Sequence, residues 1–203
     1  FRRSRGLGDV YKRQILQRAN LPMASGNRLQ AANLTRANLR GANLHFASLS
    51  RANLEGVNLQ RAKLIETNLR MANLRMADLR GADLAAANLR GAYLRRANLR
   101  QADLREAIFF RANLRVADLR FANLRRANLG VADLRGAKLQ GANLKVADLR
   151  QANLEGAQLV GALYNNDTQF PEGFNPEERG MVRENNFGKK KRRKVIKKKK
   201  SKK

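Results

Sequence analysis

Residues able to carry out acid–base, nucleophilic or metal chemistry are few in this chain. It contains one histidine, His45, and neither cysteine nor tryptophan. Serines such as Ser48 and Ser50 lack a neighbouring base that could activate them. The carboxylates recur at one position of a repeated pattern and do not converge on a cleft. We therefore predict no catalytic residue, no cofactor site and no metal site, and a protein that is not an enzyme.

Positive charge is the chemistry that the chain does offer. Its 43 Lys and Arg outnumber 16 Asp and Glu, which gives a formal net charge of +27. The excess is spread as +5 over residues 1–26, +13 over residues 27–162 and +9 over residues 163–203. Such a surface attracts phosphate groups and acidic proteins, so the fold that arranges these side chains decides what they can bind.

A five-residue period runs from Ala32 to Gly161 and must position these side chains. Leucine recurs at every fifth residue from Leu29 to Leu159, which makes 27 members, with only Phe109 interrupting the series. An alanine stands two residues before nearly every leucine, and the residue between them is usually Asn or Asp. A period this regular predicts a repeat architecture.

The period of five excludes an α-helix and favours short extended segments. Residues five apart on a helix differ by about 140° around its axis, so the leucines would share no face. In an extended segment the alanine and the leucine point to one side, and the residue between them points away. The last two residues of each unit then form a corner, where glycines such as Gly41 and Gly81 suit the backbone. We predict a coil of short strands with an interior of alanine and leucine and no cofactor cavity.

With these features the chain closely resembles the pentapeptide-repeat family, in particular its cyanobacterial members. The family motif is a small residue, Asn or Asp, Leu and two variable residues, and it stands here as Ala37-Asn38-Leu39-Arg40-Gly41. The resemblance implies an all-β fold: a right-handed quadrilateral β-helix with four pentapeptides per coil and about seven coils. It also implies a C-terminal closing segment, which the run from Leu163 to Pro176 resembles.

Four pentapeptides per coil would stack residues 20 positions apart and arrange the corner arginines in columns. We predict as candidate anion-binding or partner-binding residues Arg75, Arg95, Arg115 and Arg135 on one face, Arg80, Arg100 and Arg120 on the next, and Arg105, Arg125 and Lys145 on the third. Aspartates before the leucines offset part of this charge, at Asp78, Asp83, Asp103, Asp118, Asp133 and Asp148. A solvated face without a ligand is the alternative, because long side chains can splay and salt screens their repulsion.

The segment 107–111 departs most from the motif. Phe109 is expected to point inward in place of leucine, while Ile108 and Phe110 point outward. Stacking by 20 places Phe110 between Arg90 and Gly130, with Val131 beside it, so Ile108, Phe110 and Val131 are a candidate apolar docking patch. The alternative is a single aromatic residue that the surface tolerates.

The sequence divides into five segments. Residues 1–14 resemble read-through sequence and are predicted to be a non-native leader, with a genuine basic arm as the alternative. We assign residues 15–31 to an N-terminal cap, 32–162 to the β-helix and 163–188 to a C-terminal cap. Residues 189–203 contain 12 Lys and Arg and no acid, which predicts a disordered basic tail.

The C-terminal cap should cover the last coil of the β-helix. Leu163, Tyr164, Phe170 and Phe174 are expected to lie on the exposed leucines. The run 175–178, Asn-Pro-Glu-Glu, has the pattern of a helix start, so a short helix could follow it, although Gly180 makes it marginal.

No apolar run approaches the roughly 20 residues of a membrane span, and no secretory signal pattern is present, so we predict a cytoplasmic and, from the family, bacterial protein. The favoured function is a non-enzymatic scaffold that binds an unknown protein partner. The alternative is non-sequence-specific, electrostatic binding of nucleic acid or an anionic surface through the arginine columns and the lysine-rich tail. Some family members resemble duplex DNA and protect DNA gyrase, but a basic repeat body argues against that role. The oligomeric state is left open.

Overall fold

The computed structural model describes residues 29–184. The predicted leader, most of the N-terminal cap and the basic tail therefore lie outside the described residues. From Asn33 to Asn143, each residue between an inner alanine position and the following leucine position forms a parallel β-bridge with the residue 20 positions later. Five-residue segments are thus stacked in register, four to a turn, and the prediction of an all-β solenoid is confirmed.

We call the four stacks of segments faces 1 to 4. Face 1 contains residues 32–34 and every segment 20 residues further, up to 152–154. Faces 2, 3 and 4 begin at residues 37–39, 42–44 and 47–49. In each unit, the small residue and the leucine are the inner residues, the residue between them is the outer residue, and the last two are the first and second corner residues.

The inner residues fill the solenoid with one continuous apolar core. The leucines from Leu39 to Leu149 are at most 1% exposed, and Phe109 is fully buried in their series, as predicted. Burial of each leucine contributes on the order of 1.5–3 kcal/mol. Thr67 replaces an inner alanine, and its hydroxyl donates a hydrogen bond of 2.7 Å to the Leu44 carbonyl. The Thr67 hydroxyl is therefore buried with a hydrogen-bond partner.

Every backbone N–H group of a typical unit has a partner, which explains the choice of residues. In the unit 52–56, the alanine N–H donates across the preceding corner at 3.1 Å. The N–H groups of Asn53, Leu54 and Gly56 donate to carbonyls of neighbouring coils at 2.9, 2.7 and 2.8 Å. The N–H of Glu55 donates to the side-chain Oδ1 of Asn53 at 3.3 Å. The outer Asn thus accepts from the one N–H that stacking leaves unpaired.

The corners require a left-handed backbone at the second corner residue. From Ala31 to Gly161, all of these residues have φ between 54° and 71°, although most are not glycine. A side chain in this region costs roughly 1–2 kcal/mol, a cost that the stacked hydrogen bonds offset. Gly141 also gives room to a neighbour, because a Cβ atom there would lie 2.6 Å from Cδ1 of Phe121.

The regular stack ends after face 3 of the last coil. Strand β1, Leu163–Tyr164, pairs in parallel with strand β2, Val182–Arg183. Tyr164 takes the inner position and is 6% exposed, while Phe170 and Phe174 pack partly buried against the core, as predicted. The prediction for Leu163 was wrong: it occupies an outer position, four residues after Leu159, and Met181 is buried instead.

The short helix considered after Asn175 does not form. Residues 176–180 make successive turns, in which the N–H groups of Arg179 and Gly180 donate to carbonyls three residues earlier. Gly180 has φ of 68°, which ends any helical progression before one α-helical turn is complete. Residues 29–184 also contain no helix long and apolar enough to cross a membrane.

Candidate interaction surface

The outer Asn and Asp residues fix where the corner side chains begin. In twenty units of the described range 29–184, the side-chain Oδ1 of the outer residue accepts a hydrogen bond from the N–H of the first corner residue, two positions later. This Asx turn holds the corner in one conformation. The first corner residues therefore form straight columns along the edges of the solenoid.

Aspartate at the outer position also binds the arginine at the corner. Wherever a unit reads Ala-Asp-Leu-Arg, the guanidinium folds back onto the carboxylate, with N–O distances of 2.6 to 2.8 Å. The five pairs are Arg80–Asp78, Arg105–Asp103, Arg120–Asp118, Arg135–Asp133 and Arg150–Asp148. Units that read Ala-Asn-Leu-Arg lack this carboxylate, so one residue type decides whether a corner arginine is neutralised.

These pairs change the pKa values of the aspartates. Hydrogen bonds from Arg135 lower the pKa of Asp133 and outweigh the effect of burial. Burial alone would raise the pKa of Asp118. The hydrogen bonds and the positive charge of Arg120 lower this pKa by more than burial raises it, so the net shift is downward. The carboxylates are therefore ionised at neutral pH and cancel part of the positive surface.

The ten predicted cations consequently differ in what they can offer a partner. Four of them are paired with aspartate, namely Arg80, Arg105, Arg120 and Arg135, and Lys145 is paired with Glu184 at 2.6 Å. The other five, Arg75, Arg95, Arg100, Arg115 and Arg125, form no ion pair with any residue of the described range. Arg75, Arg95 and Arg115 are stacked on three successive coils, whereas Arg100 lies between the paired Arg80 and Arg120.

Exposed apolar side chains accompany this unpaired column. Met76 is 60% exposed, Val116 is 47% exposed and Tyr93 is 46% exposed. Arg96, at the second corner position, is also exposed and forms no ion pair within residues 29–184. We call this set the cationic edge: Arg75, Met76, Tyr93, Arg95, Arg96, Arg115 and Val116.

Four members of the cationic edge were not predicted from the sequence, namely Met76, Tyr93, Arg96 and Val116. Only the arginines of the first corner position were predicted. The signal was present in the sequence, because these residues lie next to the predicted arginines at outer or second corner positions. The alternation of Asn and Asp before the leucine was also available as a guide to which arginines are paired.

The predicted apolar patch is divided by arginine. Phe110 lies over Gly130, as stacking by 20 predicts, with its ring carbon 3.4 Å from the place of a Cβ atom there. The guanidinium carbons of Arg90 and Arg111 lie 4.9 and 5.4 Å from the centre of the Phe110 ring. Ile108 and Val131, 38% and 39% exposed, flank this cluster. The structure places the three residues as expected, and their role in docking stays a prediction.

No set of side chains in the described range suggests a reaction. His45 lies beside Phe46, with ring centres 6.1 Å apart. Within residues 29–184, no group of three or more His, Asp or Glu is placed to hold a metal ion. The arrangement offers charge, aromatic surface and rigid spacing, which are the means of binding.

Comparison with protein-family models gives one match, to pentapeptide repeats, with 8 copies. The matched segments are residues 15–56, 43–81, 58–96, 77–115, 92–130 and 127–163. No curated protein matches the chain.

Solved structures include several similar proteins. HetL, a pentapeptide repeat protein involved in heterocyst differentiation regulation from the cyanobacterium Nostoc sp. strain PCC 7120, is 35% identical, with 70% of this chain and 75% of HetL covered and a TM-score of 0.52. A second pentapeptide repeat protein from the same organism is 42% identical over 53% of this chain and 84% of its own, with a TM-score of 0.38. A pentapeptide repeat protein from the thylakoid lumen of Arabidopsis thaliana is 26% identical. The match covers 61% of this chain and 73% of that protein, with a TM-score of 0.41.

Proposed function

The chain belongs to the pentapeptide-repeat family, and we propose that it is a non-enzymatic interaction module whose cationic edge binds an acidic surface of a partner protein. The proposal takes the solenoid to be a right-handed quadrilateral coil of about seven turns. It also retains the predicted cytoplasmic location.

The observation that carries the proposal is the selective pairing of the arginines. On faces 2 and 3, aspartates pair with Arg80, Arg105 and Arg120, so no two neighbours in a column stay unpaired there, whereas Arg75, Arg95 and Arg115 stay unpaired on three consecutive coils. Neighbouring coils are roughly 4.8 Å apart, so these three charges form one dense stripe. An acidic partner would gain ion pairs here without first breaking pairs inside the protein.

The apolar members of the cationic edge favour a protein over a nucleic acid. Tyr, Met and Arg are the side chains enriched at the centres of protein interfaces. Met76 and Val116 offer nothing that a phosphate backbone can use, but they can be buried against apolar side chains of a protein. Tyr93 adds an aromatic ring and a hydroxyl at the centre of the stripe.

The test compares two charge reversals that alter net charge equally. One variant carries Arg75→Glu, Arg95→Glu and Arg115→Glu, and the control carries Arg40→Glu, Arg70→Glu and Arg125→Glu, whose arginines lie on other faces without ion pairs. Binding to an acidic peptide of alternating Glu and Tyr is measured by fluorescence anisotropy. We expect the first variant to lose roughly tenfold or more in affinity, which corresponds to about 1.4 kcal/mol, and the control to lose less. Equal losses would contradict a specific edge.

Nucleic-acid binding is a second candidate, supported by the same unpaired column and the chain's net charge of +27. In that case duplex DNA should bind in place of the peptide, and the logarithm of its affinity should fall by about 0.9 per neutralised phosphate for each logarithmic unit of salt. Peptide binding with little DNA binding at moderate salt would support the protein partner.

A further inference from the structure

Face 1 of the solenoid ends with an open strand edge. Along this face, each leucine N–H donates to an outer-residue carbonyl of the next coil, at 2.7 to 2.9 Å. Each alanine carbonyl accepts from the N–H of that same outer residue, at 2.9 to 3.0 Å. At the last coil, the Leu154 N–H and the Ala152 carbonyl form no hydrogen bond with any residue from 29 to 184. One donor and one acceptor are thus left at the spacing of one more bridge.

Neighbouring faces of the last coil are better closed. On face 3, Val182 and Glu184 of the β2 region donate to the carbonyls of Ala162 and Tyr164, both at 2.8 Å. On face 2, the Arg179 guanidinium donates to the Ala157 carbonyl at 2.8 Å, and the Leu159 N–H forms no hydrogen bond with residues 29–184. The cap therefore covers these faces with its own strand and side chain, but it stands away from face 1.

The gap beside face 1 is a pocket of about 480 Å³ between residues 151–155 and the loop 171–174. Ala152 and Leu154 are each 5% exposed, whereas Ala132 and Leu134 one coil earlier are 1% and 0% exposed. An extended residue in this pocket would cover both inner side chains and complete their hydrogen bonds.

The charge around the pocket selects a basic occupant. Residues 163–184 contain five acidic and two basic side chains, a reversal of the excess in the repeat body. Glu155 and Glu172 line the pocket, while Arg179 is already bound to the Ala157 carbonyl. A second copy approaching with the same acidic end would be repelled.

The chain itself contains a segment with the required charge. Residues 189–203 include 12 Lys and Arg and no acid, and Val195 and Ile196 are their only apolar residues. Ten residues lie between Glu184 and Val195, and the eleven Cα–Cα steps can span up to about 36 Å. Opposite faces of a coil this narrow lie roughly 10 Å apart, so the segment can reach face 1 from the end of β2.

We propose that the chain's own segment 189–203 adds a strand to face 1 of the last coil at Val195–Ile196. One residue of the pair donates its N–H to the Ala152 carbonyl, and its carbonyl accepts from the Leu154 N–H. Flanking lysines then face Glu155 and Glu172. Covering an open strand edge in this way prevents other chains from pairing with it. The inference is independent of the cationic edge, which lies on earlier coils.

The test measures amide hydrogen exchange of Leu154 by NMR in the full chain. The variant Val195→Pro/Ile196→Pro removes both candidate N–H donors, and Ser201→Pro serves as the control because it adds a proline outside the apolar pair. We expect exchange at Leu154 to become roughly tenfold faster in the double variant and unchanged in the control. Equal exchange in all three chains overturns the proposal. Protection that rises with protein concentration and survives the two prolines overturns it in favour of a second copy.

A charge reversal tests the same contact without changing the segment. Glu172→Lys should also accelerate Leu154 exchange, because it places a positive charge beside the lysines. The matched control is Glu66→Lys, an exposed site on the repeat body with the same change in charge. Acceleration by both variants, or by neither, contradicts the proposed contact.

Discussion

The repeat body and the C-terminal cap both cover the apolar interior of the solenoid, the body with a regular sequence and the cap with an irregular one. In residues 29–162 every bridge keeps a separation of 20 residues, and most units repeat the same backbone hydrogen bonds. In the cap the separation changes, with Asp148 paired to Gln169 and Leu163 paired to Val182. The body can therefore grow by repetition, whereas the cap interrupts the register so that the stack ends.

The charge changes sign at the same boundary. Residues 29–162 carry 22 Lys and Arg against 10 Asp and Glu, whereas residues 163–184 carry two against five. The body presents its excess at corners, in columns set by the period. The cap carboxylates take part in local contacts, such as the hydrogen bond between the Tyr164 hydroxyl and Glu177 at 3.3 Å. The proposed binding surface therefore lies on the body, and the cap is the part that ends the stack.

The largest expected effect comes from removing a leucine side chain in each region. Leu114 and Leu154 lie in the same column of face 1, but Leu154 has a covering coil on one side only. Leu114→Ala should lower the free energy of unfolding by about 3 kcal/mol, because the cavity is enclosed. Leu154→Ala should lower it by less, since the loop at the pocket can adjust. Urea denaturation followed by circular dichroism measures both.

A control for this pair is Leu74→Ala, two coils before Leu114 in the same column. It should match Leu114→Ala, since the same kind of neighbour lies on both sides. If Leu154→Ala cost as much as either of them, the last coil would be as closely covered as the body, and the difference between the two regions would disappear.

An intermediate effect is expected at two buried threonines. Thr67 in the body and Thr168 in the cap each donate a hydroxyl hydrogen bond to a leucine carbonyl, at 2.7 and 3.0 Å. The Thr168 hydroxyl also accepts from the Asn165 N–H at 3.1 Å, and the side chain of Asn165 accepts from the Val146 N–H at 2.9 Å. Thr168→Ala should therefore cost about 1–2 kcal/mol, because it leaves buried polar groups without a partner.

Thr67→Ala is the matched change in the body. It restores the residue that most units have at this position, and the Leu44 carbonyl keeps its bond from the Ala47 N–H at 3.1 Å. Its effect should lie within about 0.5 kcal/mol of zero. Equal costs at both threonines would show that the hydroxyl alone, and not the cap network, carries the stability.

The body could be predicted from the sequence because one rule applies to every unit. Phe109 was assigned to the interior and Phe110 to a place over Gly130 from counting alone, and both positions are confirmed. The cap could not be predicted in this way. Leu163 continues the spacing of the outer residues, and Met181 reaches the core only after the chain has turned back over the last coil.

The positions of the corner arginines were predicted, but which of them form ion pairs was not. A spacing of 20 residues predicts the arginine columns, but it does not distinguish paired arginines from unpaired ones. Their difference comes from a contact between residues two positions apart, such as Asp118 and Arg120, which depends on the Asx turn between them. The open edge at Leu154 had no signal in the period, because it depends on where the cap loop lies.

The smallest effect expected is a different response of the two regions to pH. In the body, hydrogen bonds from Arg135 and Arg150 lower the pKa values of Asp133 and Asp148 below that of an unfolded aspartate. A lowered folded-state pKa contributes stability above the unfolded value of about 3.9, and this contribution is lost as the pH falls through the folded value. In the cap, burial and then Glu177 raise the pKa of Tyr164. That contribution is present below the unfolded value of about 10 and is lost as the pH rises through the folded value.

Acid should therefore weaken the body and alkali the cap. In Asp133→Asn/Asp148→Asn, the urea midpoint of unfolding should decrease less as the pH is lowered below about 4. In Tyr164→Phe, it should decrease less as the pH is raised above about 10. Both changes should be smaller than that of Thr168→Ala, because the pairs are partly exposed and solvent screens them. Tyr93→Phe, on the body surface, is the control for the alkaline arm. An acid response that Asp133→Asn/Asp148→Asn leaves unaltered would mean that these pairs do not stabilise the fold, and only their neutralisation of the arginine columns would remain as their role.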